Sequence, residues 1–247
     1  TEAAGDRAVR RITLTGDGNG YAANPDLKPE QATTLSATAD WHDATGEKWG
    51  VRVTPYTTHV RNYVDALRCG PATGMSACTF VYLRFANQSV RLYGIDMTGF
   101  AELGRSPRWG QFVLSGGINY VRGKNTDTGD NLINMMPLNA RLALTHRQGG
   151  WSGTAEWVGV AGKDKVSRER NEMTTAGYGL LNLRASYAWK QVRLHFGIDN
   201  LFDRYYELPL GGAYMGQGQT MSGTGVPWGV RVPGPGRSFN VGLTASF

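Results

Sequence analysis

The chain has 247 residues, 40% of them hydrophobic, with 34 glycines and a formal net charge of +6. No stretch approaches the roughly 18 consecutive apolar residues of a membrane helix, so any crossing of a bilayer must be made by strands. With Lys at 28, 48, 124, 163, 165 and 190, Arg supplies 20 of the 26 basic residues; they are scattered singly rather than clustered, which argues against a nucleic-acid partner and leaves lipid headgroups or an anionic ligand.

Residues 1–29 read as an extracellular loop entering the first strand, after the end of a preceding strand near 8–15. Thr1-Glu-Ala-Ala-Gly5 lacks a basic start and an apolar stretch, so the chain is expected to be mature or truncated. Alternation and turn residues then place nine strands at about 30–42, 47–65, 79–103, 109–122, 136–148, 150–162, 179–190, 191–202 and 237–247. Leu35, Ala37, Ala39 and Trp41 share a face of the first; Tyr93, Ile95, Met97 and Leu103 share one in the third; Leu138, Ala140, Leu142 and Leu144 in the fifth. In the eighth, Val192, Leu194, Phe196 and Ile198 alternate with Arg193, His195, Gly197 and Asp199, which puts Arg193, His195 and Asp199 on a polar, lumen-facing side. The last strand alternates strictly and ends on Phe247.

The connections alternate in length without exception: short at 43–46, 104–108, 149–150 and 190–191, long at 66–78, 123–135, 163–178 and 203–236. Tight periplasmic turns opposite long extracellular loops predict this parity, and a soluble sandwich has no reason to sort loops by side. Trp41, Trp49, Trp109, Trp151, Trp189 and Phe247 all lie beside the short turns or the terminus, at one rim, where amphipathic rings suit headgroup depth. The expected fold is an all-β, transmembrane antiparallel β-barrel. Nine strands are odd in number and would leave an open edge in lipid, so upstream sequence is expected to complete the barrel.

Cys69 and Cys78, flanking a loop, are expected to form a disulfide in an oxidising compartment; reduced, they could bind a metal. Met75, Met135, Met136, Met173, Met215 and Met221 fall in or beside long loops, and thioethers are soft ligands that favour Cu(I). The competing reading is adaptable packing. His42, His59, His146 and His195 show no metal-ligand spacing. Gly16-Asp-Gly-Asn-Gly20 lacks the strand-to-helix setting of a dinucleotide fold, and Asp127 and Asp130 read as solvated turn residues, so no enzyme is expected.

Asn24-Pro-Asp-Leu-Lys-Pro-Glu30, Val90-Arg-Leu-Tyr-Gly-Ile-Asp-Met97, Asp199-Asn-Leu-Phe-Asp-Arg-Tyr-Tyr206 and the Phe-terminated last strand follow one another as in TonB-dependent outer-membrane receptors of Gram-negative bacteria, which the chain resembles over about residues 21–247. The resemblance implies the C-terminal part of a 22-stranded barrel, residues 30–247, with the plug domain that normally fills it absent from this chain. It also implies import driven by the TonB energy-coupling protein in the periplasm, with outer-membrane lipid and lipopolysaccharide as surroundings and no required cofactor. The loop Glu207-Leu-Pro-Leu-Gly-Gly-Ala-Tyr-Met-Gly-Gln-Gly-Gln-Thr-Met221 is similar to the copper receptor subgroup, which makes a copper ion the expected cargo and Met75, Met215 and Met221 its candidate loop ligands. The alternatives are an iron-siderophore complex as ligand, or a smaller barrel acting as outer-membrane enzyme or passive pore.

Overall fold

The structure, a computed structural model, describes residues 12–13, 20–68, 82–214 and 230–245. Among them there is no helix. After the short β1 (Ile12–Thr13) and β2 (Gly20–Ala22) come β3 (Gln31–Ser36), β4 (Ala39–His42), β5 (Trp49–Leu67), β6 (Tyr82–Ser106), β7 (Gly110–Asn125), β8 (Asn139–Gln148), β9 (Trp151–Val160), β10 (Tyr178–Trp189) and β11 (Val192–Asp199). A small β12–β13 hairpin (Ala213–Tyr214, Val230–Arg231) sits in the last long connection, before β14 (Ser238–Ala245). β3 to β11 and β14 form one antiparallel meander, with β3 and β4 following one another along the same edge of β5. All nine expected strands are present. The first is divided, because Pro55 lies opposite Ala37: Ala37 N donates to Pro55 O at 3.2 Å, but proline has no N–H to return.

Register decides what each face carries. One transverse path runs Trp41, Val51, Gly99, Gly116, Leu142, Trp157, Leu181, and the path beside it joins Trp49, Ala101, Leu114, Leu144, Ala155, Leu183, Ile198 and Phe239. Leu35, Met97, Ile118, Leu142, Phe196, Val241 and Leu243 all stand on this face and are all exposed. An apolar face that wide on one side of a sheet must be covered, and hydrocarbon covers it without a second protein layer.

Trp41, Trp49, Trp109, Trp151 and Trp189 are exposed at one rim, beside the tight turns. Those turns use the left-handed backbone that closes short hairpins: Gly149 (φ 55°) precedes Gly150, and Lys190 (φ 52°) precedes Gln191. In the turn before β5, Asp43 accepts hydrogen bonds from the Thr45 hydroxyl at 2.5 Å and from the Lys48 and Trp49 amides at 3.0 and 3.1 Å. The Thr45 hydroxyl first, then the Trp49 amide, hold the Asp43 carboxyl well below the ordinary carboxylate range. A depressed value means that the turn keeps its full contribution above the unfolded carboxylate value and loses it only as pH falls through the lower one. Asp43→Ala is therefore expected to speed hydrogen exchange at Lys48 and Trp49 by about tenfold or more, whereas the parent's protection at those amides should hold from about pH 8 to 5.

The buried core sits at the opposite, long-loop end. Val60, Val90 and Leu132 pack with Tyr63, Leu92 and Met135, and Ala66 and Leu83 pack with Phe85. β5 and β6 continue past the rows that a bilayer can cover, and a loop residue, Leu132, closes over them.

Candidate functional site

The face opposite the apolar one is a wall of paired polar groups. Arg52 donates to Asp40 from Nε at 2.9 Å and from its terminal nitrogen at 2.6 Å. Asn119 donates to Asp96 at 2.8 Å. Arg141 lies 3.3 Å from Glu156, which also accepts from Asn182 at 3.0 Å. Arg184 pairs with Asp199, whose second oxygen accepts from Asn240 at 2.7 Å. Each pair bridges neighbouring strands through the direct or diagonal cross-strand contacts that antiparallel pairing provides. Tyr56 extends over the same face above Gly94, where an added Cβ would lie 2.5 Å from the Tyr56 hydroxyl oxygen; only glycine leaves room.

Arg193, His195 and Asp199 lie on this wall, through their register with Thr244, Gly242 and Ser238. Arg193 and His195 are exposed, and His195 Nε2 meets the Thr244 hydroxyl at 3.2 Å. The three do not converge on a point, and Asp199 is committed to Arg184 and Asn240. The other histidines are dispersed: His42 Nδ1 lies 2.7 Å from Asp43 O, and His146 stacks on Phe112 with its Nε2 2.8 Å from Trp109 O. Among the described residues no three His, Cys, Asp or Glu come together.

Above the wall, the long connections are locked into one body. Lys163 Nζ, its side chain only 2% exposed, donates to Glu172 at 2.5 Å and to the Pro209 carbonyl at 2.9 Å. Glu172 in turn accepts the amides of Asn134 at 2.8 Å and Ser167 at 2.9 Å. One ion pair thus joins the connections after β7, β9 and β11. Asp130 accepts from the Ser167 hydroxyl and the Glu169 amide, and Arg170 reaches back to Asp65 at 3.0 Å. Burial first pushes the Asp65 carboxyl up, against the pull of the Ala66 amide and Arg170. Asp127 caps the Ser89 amide at 2.7 Å. Asp130, half-buried, is therefore a loop fastener rather than the solvated turn residue its surroundings in sequence suggest, whereas Asp127 is exposed in its turn as expected.

The sequence motifs acquire the same kind of role. Asn24 donates to Phe85 O, and Lys28 and Asn87 exchange two hydrogen bonds at 2.7 and 2.9 Å, which straps 24–30 across β5 and β6 together with Glu30 on the Val64 amide. Asn200, 3% exposed, holds Arg204 from both sides and reaches Pro235 O. Neither Lys163 nor Glu172 was singled out by sequence, because no spacing rule links two loop residues whose partner is a third loop. Cys69, Cys78, Met75, Met215, Met221 and Phe247 lie outside the described residues, and so does the expected disulfide. Of the remaining loop methionines, Met135 packs against the Val60, Val90 and Leu132 core. Met135 and Met136 also line an opening of about 190 Å³ between the tops of β7 and β8, with Arg122 and Lys163.

An apolar outer belt, a polar inner wall, tight turns on one side and interlocked long loops on the other define an outer-membrane β-barrel wall. The chain belongs to the family described as TonB dependent receptor-like, beta-barrel, whose model matches residues 5–201. The family consists of receptors and transporters, not enzymes, and the chain is an outer-membrane protein of a Gram-negative bacterium. It is similar to the solved structure of the copper transporter OprC, with a TM-score of 0.73 and 26% identity over 90% of this chain and 33% of that one. The heme/hemopexin utilization protein C of Haemophilus influenzae is 27% identical over 203 residues, 76% of this chain and 27% of the relative. The ferric enterobactin receptor PfeA of Pseudomonas aeruginosa shares the fold at 19% identity and a TM-score of 0.66, over 95% of this chain and 34% of that one. The chain thus spans about a third or less of the length of these relatives.

Proposed function

We propose that this chain forms part of the wall and extracellular mouth of a TonB-dependent importer whose cargo is copper. The observation that carries the cargo reading is the likeness to the copper transporter OprC, at 26% identity over 90% of the chain. Thioether-rich loops, with Met75, Met215 and Met221 as candidate ligands, fit that chemistry. Residues 1–29 would serve as an extracellular loop and residues 30–247 as barrel strands. β14 and the β3/β4 pair have one neighbour each among the described residues, and unpaired edges are costly in lipid, so further strands of the receptor would close the sheet. The paired polar wall, including Arg193, His195 and Asp199, would then face a plug domain or the passing ligand. Cys69 and Cys78 would staple the loop between β5 and β6, and a periplasmic TonB protein would drive release.

The likeness to a heme/hemopexin utilization protein favours a second reading, an iron-porphyrin cargo. Calorimetry on the intact receptor separates the two. Copper is expected to give a saturable heat that Met215→Ala or Met221→Ala weakens by about tenfold, the loss of one soft ligand. A strong heme or ferric-siderophore signal with no copper heat would reject the copper assignment while leaving the receptor family intact.

A further inference from the structure

Pro55 interrupts the wall on one side only. Toward β6 the register is regular, with Thr54, Pro55 and Tyr56 opposite Asp96, Ile95 and Gly94. On the other side Ala37 N donates to Pro55 O, and residues paired in this way across an antiparallel ladder normally exchange both bonds. Proline has no N–H to give, and among the described residues nothing donates to the Ala37 carbonyl. Pro55 lies six positions after Trp49, which marks the short-turn rim, and so sits near the middle of the roughly 9–11 residues that cross a bilayer. An unmatched carbonyl at that depth is costly in hydrocarbon and is tolerated only where protein or water reaches it.

Water has a route from the lumen. Thr38 and Thr54, the neighbours of Ala37 and Pro55, turn to the polar face, where their hydroxyls lie 3.0 Å apart. One hydroxyl donates to the other, which leaves one O–H and free lone pairs for a water. Asp96 stands beside Thr54 in the same row. The strand on either side of this point is fastened separately. Above it, β3 pairs with Tyr56 to Arg61, the Thr34 and Thr58 hydroxyls meet at 2.8 Å, and the strap 24–30 is tied down by Glu30 on the Val64 amide and by Asn62 on the Pro29 carbonyl. Below it, β4 pairs with Gly50 to Val53, and Asp40 takes two bonds from Arg52. Ala37 and Thr38 belong to neither half.

We propose that Ala37 and Thr38 form a hinge in the barrel wall, held open by Pro55 and wetted from the lumen, about which the extracellular half of the strand swings with the strap 24–30 while the periplasmic half stays in place. A few residues that lie between two fastened segments are what such a hinge requires. This inference rests on the membrane placement of the wall and is independent of the cargo. Pro55→Ala supplies the missing N–H without adding bulk, and the intact receptor in lipid nanodiscs is the sample. Hydrogen exchange in the parent is expected to be about tenfold or more faster at the amides of 36–39 than at those of 141–144, at similar depth in β8, and Pro55→Ala should slow 36–39 by about tenfold. Val53→Ala, which trims a neighbouring side chain and keeps its N–H, should leave 36–39 within a few-fold of the parent. Spin-label distances read the swing: from Leu144 to Leu35 the distribution should be broad in the parent and narrow in Pro55→Ala, and from Leu144 to Trp41 narrow in both. Heat resistance of the barrel on gels controls for folding, and should Pro55→Ala fail to fold, the two comparisons within the parent decide. Equal exchange at 36–39 and 141–144 in the parent, unchanged exchange in folded Pro55→Ala, or a parent distribution at Leu35 as narrow as that at Trp41 would each overturn the proposal.

Discussion

Leu142→Arg is expected to destabilise the barrel by roughly 2–4 kcal/mol, while Ala143→Arg, one residue along, costs close to nothing. Both sit in the middle of β8, about five residues from its short-turn end at Gln148, so depth is matched and only the face differs. Leu142 is 48% exposed on the apolar side, between Gly116 and Trp157. A guanidinium there would have to leave water for hydrocarbon or drag water in with it. Ala143 stands between Ser115 and Glu156 on the polar wall, where an added arginine gains a nearby carboxylate. Folding titrations of the intact receptor in lipid vesicles, comparing urea midpoints at equal slope, give the difference directly.

The second large effect belongs to Lys163. Lys163→Met removes the cation from a site where both partners are nearly sealed, 2% and 9% exposed, and leaves Glu172 buried without its charge partner. Breaking a buried pair from one side costs about 3–5 kcal/mol, most of it the penalty on the orphaned charge. Here that penalty falls on the loop assembly, since Glu172 also holds the Asn134 and Ser167 amides and Lys163 holds Pro209. The expected result is rapid protease cleavage in 126–138 and 161–177, with the strands still protected. Lys163→Met combined with Glu172→Gln should recover much of the protection, because the second change removes the unpaired charge. Equal cleavage of single and double variants would mean that the pair does not organise the loops.

These two residues also mark what the sequence could and could not disclose. Alternation alone puts Leu142 on the outer face, because a period of two is a local property: Leu138, Ala140, Leu142 and Leu144 state it without reference to any other strand. Loop parity likewise needs no knowledge of pairing to orient the sheet. The role of Lys163 is not local. Its partners Glu172 and Pro209 come from connections 161–177 and 200–237, and only folding brings both to one nitrogen and the Asn134 amide of connection 126–138 to Glu172. The same holds for the break at Ala37, caused by a proline in another strand, and for Asp130, which looks like a solvated turn residue until Ser167 and Glu169 arrive. Alternation and connection length are legible in the sequence; long-range hydrogen bonding is not.

Lipid, not protein, covers the face carrying Leu142, Phe196 and Val241. Site-directed nitroxides along β8, at Leu142, Ala143, Leu144 and Thr145 of the receptor in bilayers, test it most directly by their collision rates with oxygen, which concentrates in hydrocarbon, and with a water-soluble nickel chelate. A strict two-residue alternation is expected, with oxygen access high at 142 and 144 and relatively greater chelate access at 143 and 145. Low oxygen access at Leu142 and Leu144, as in the sealed interior of a two-layer protein, would contradict it.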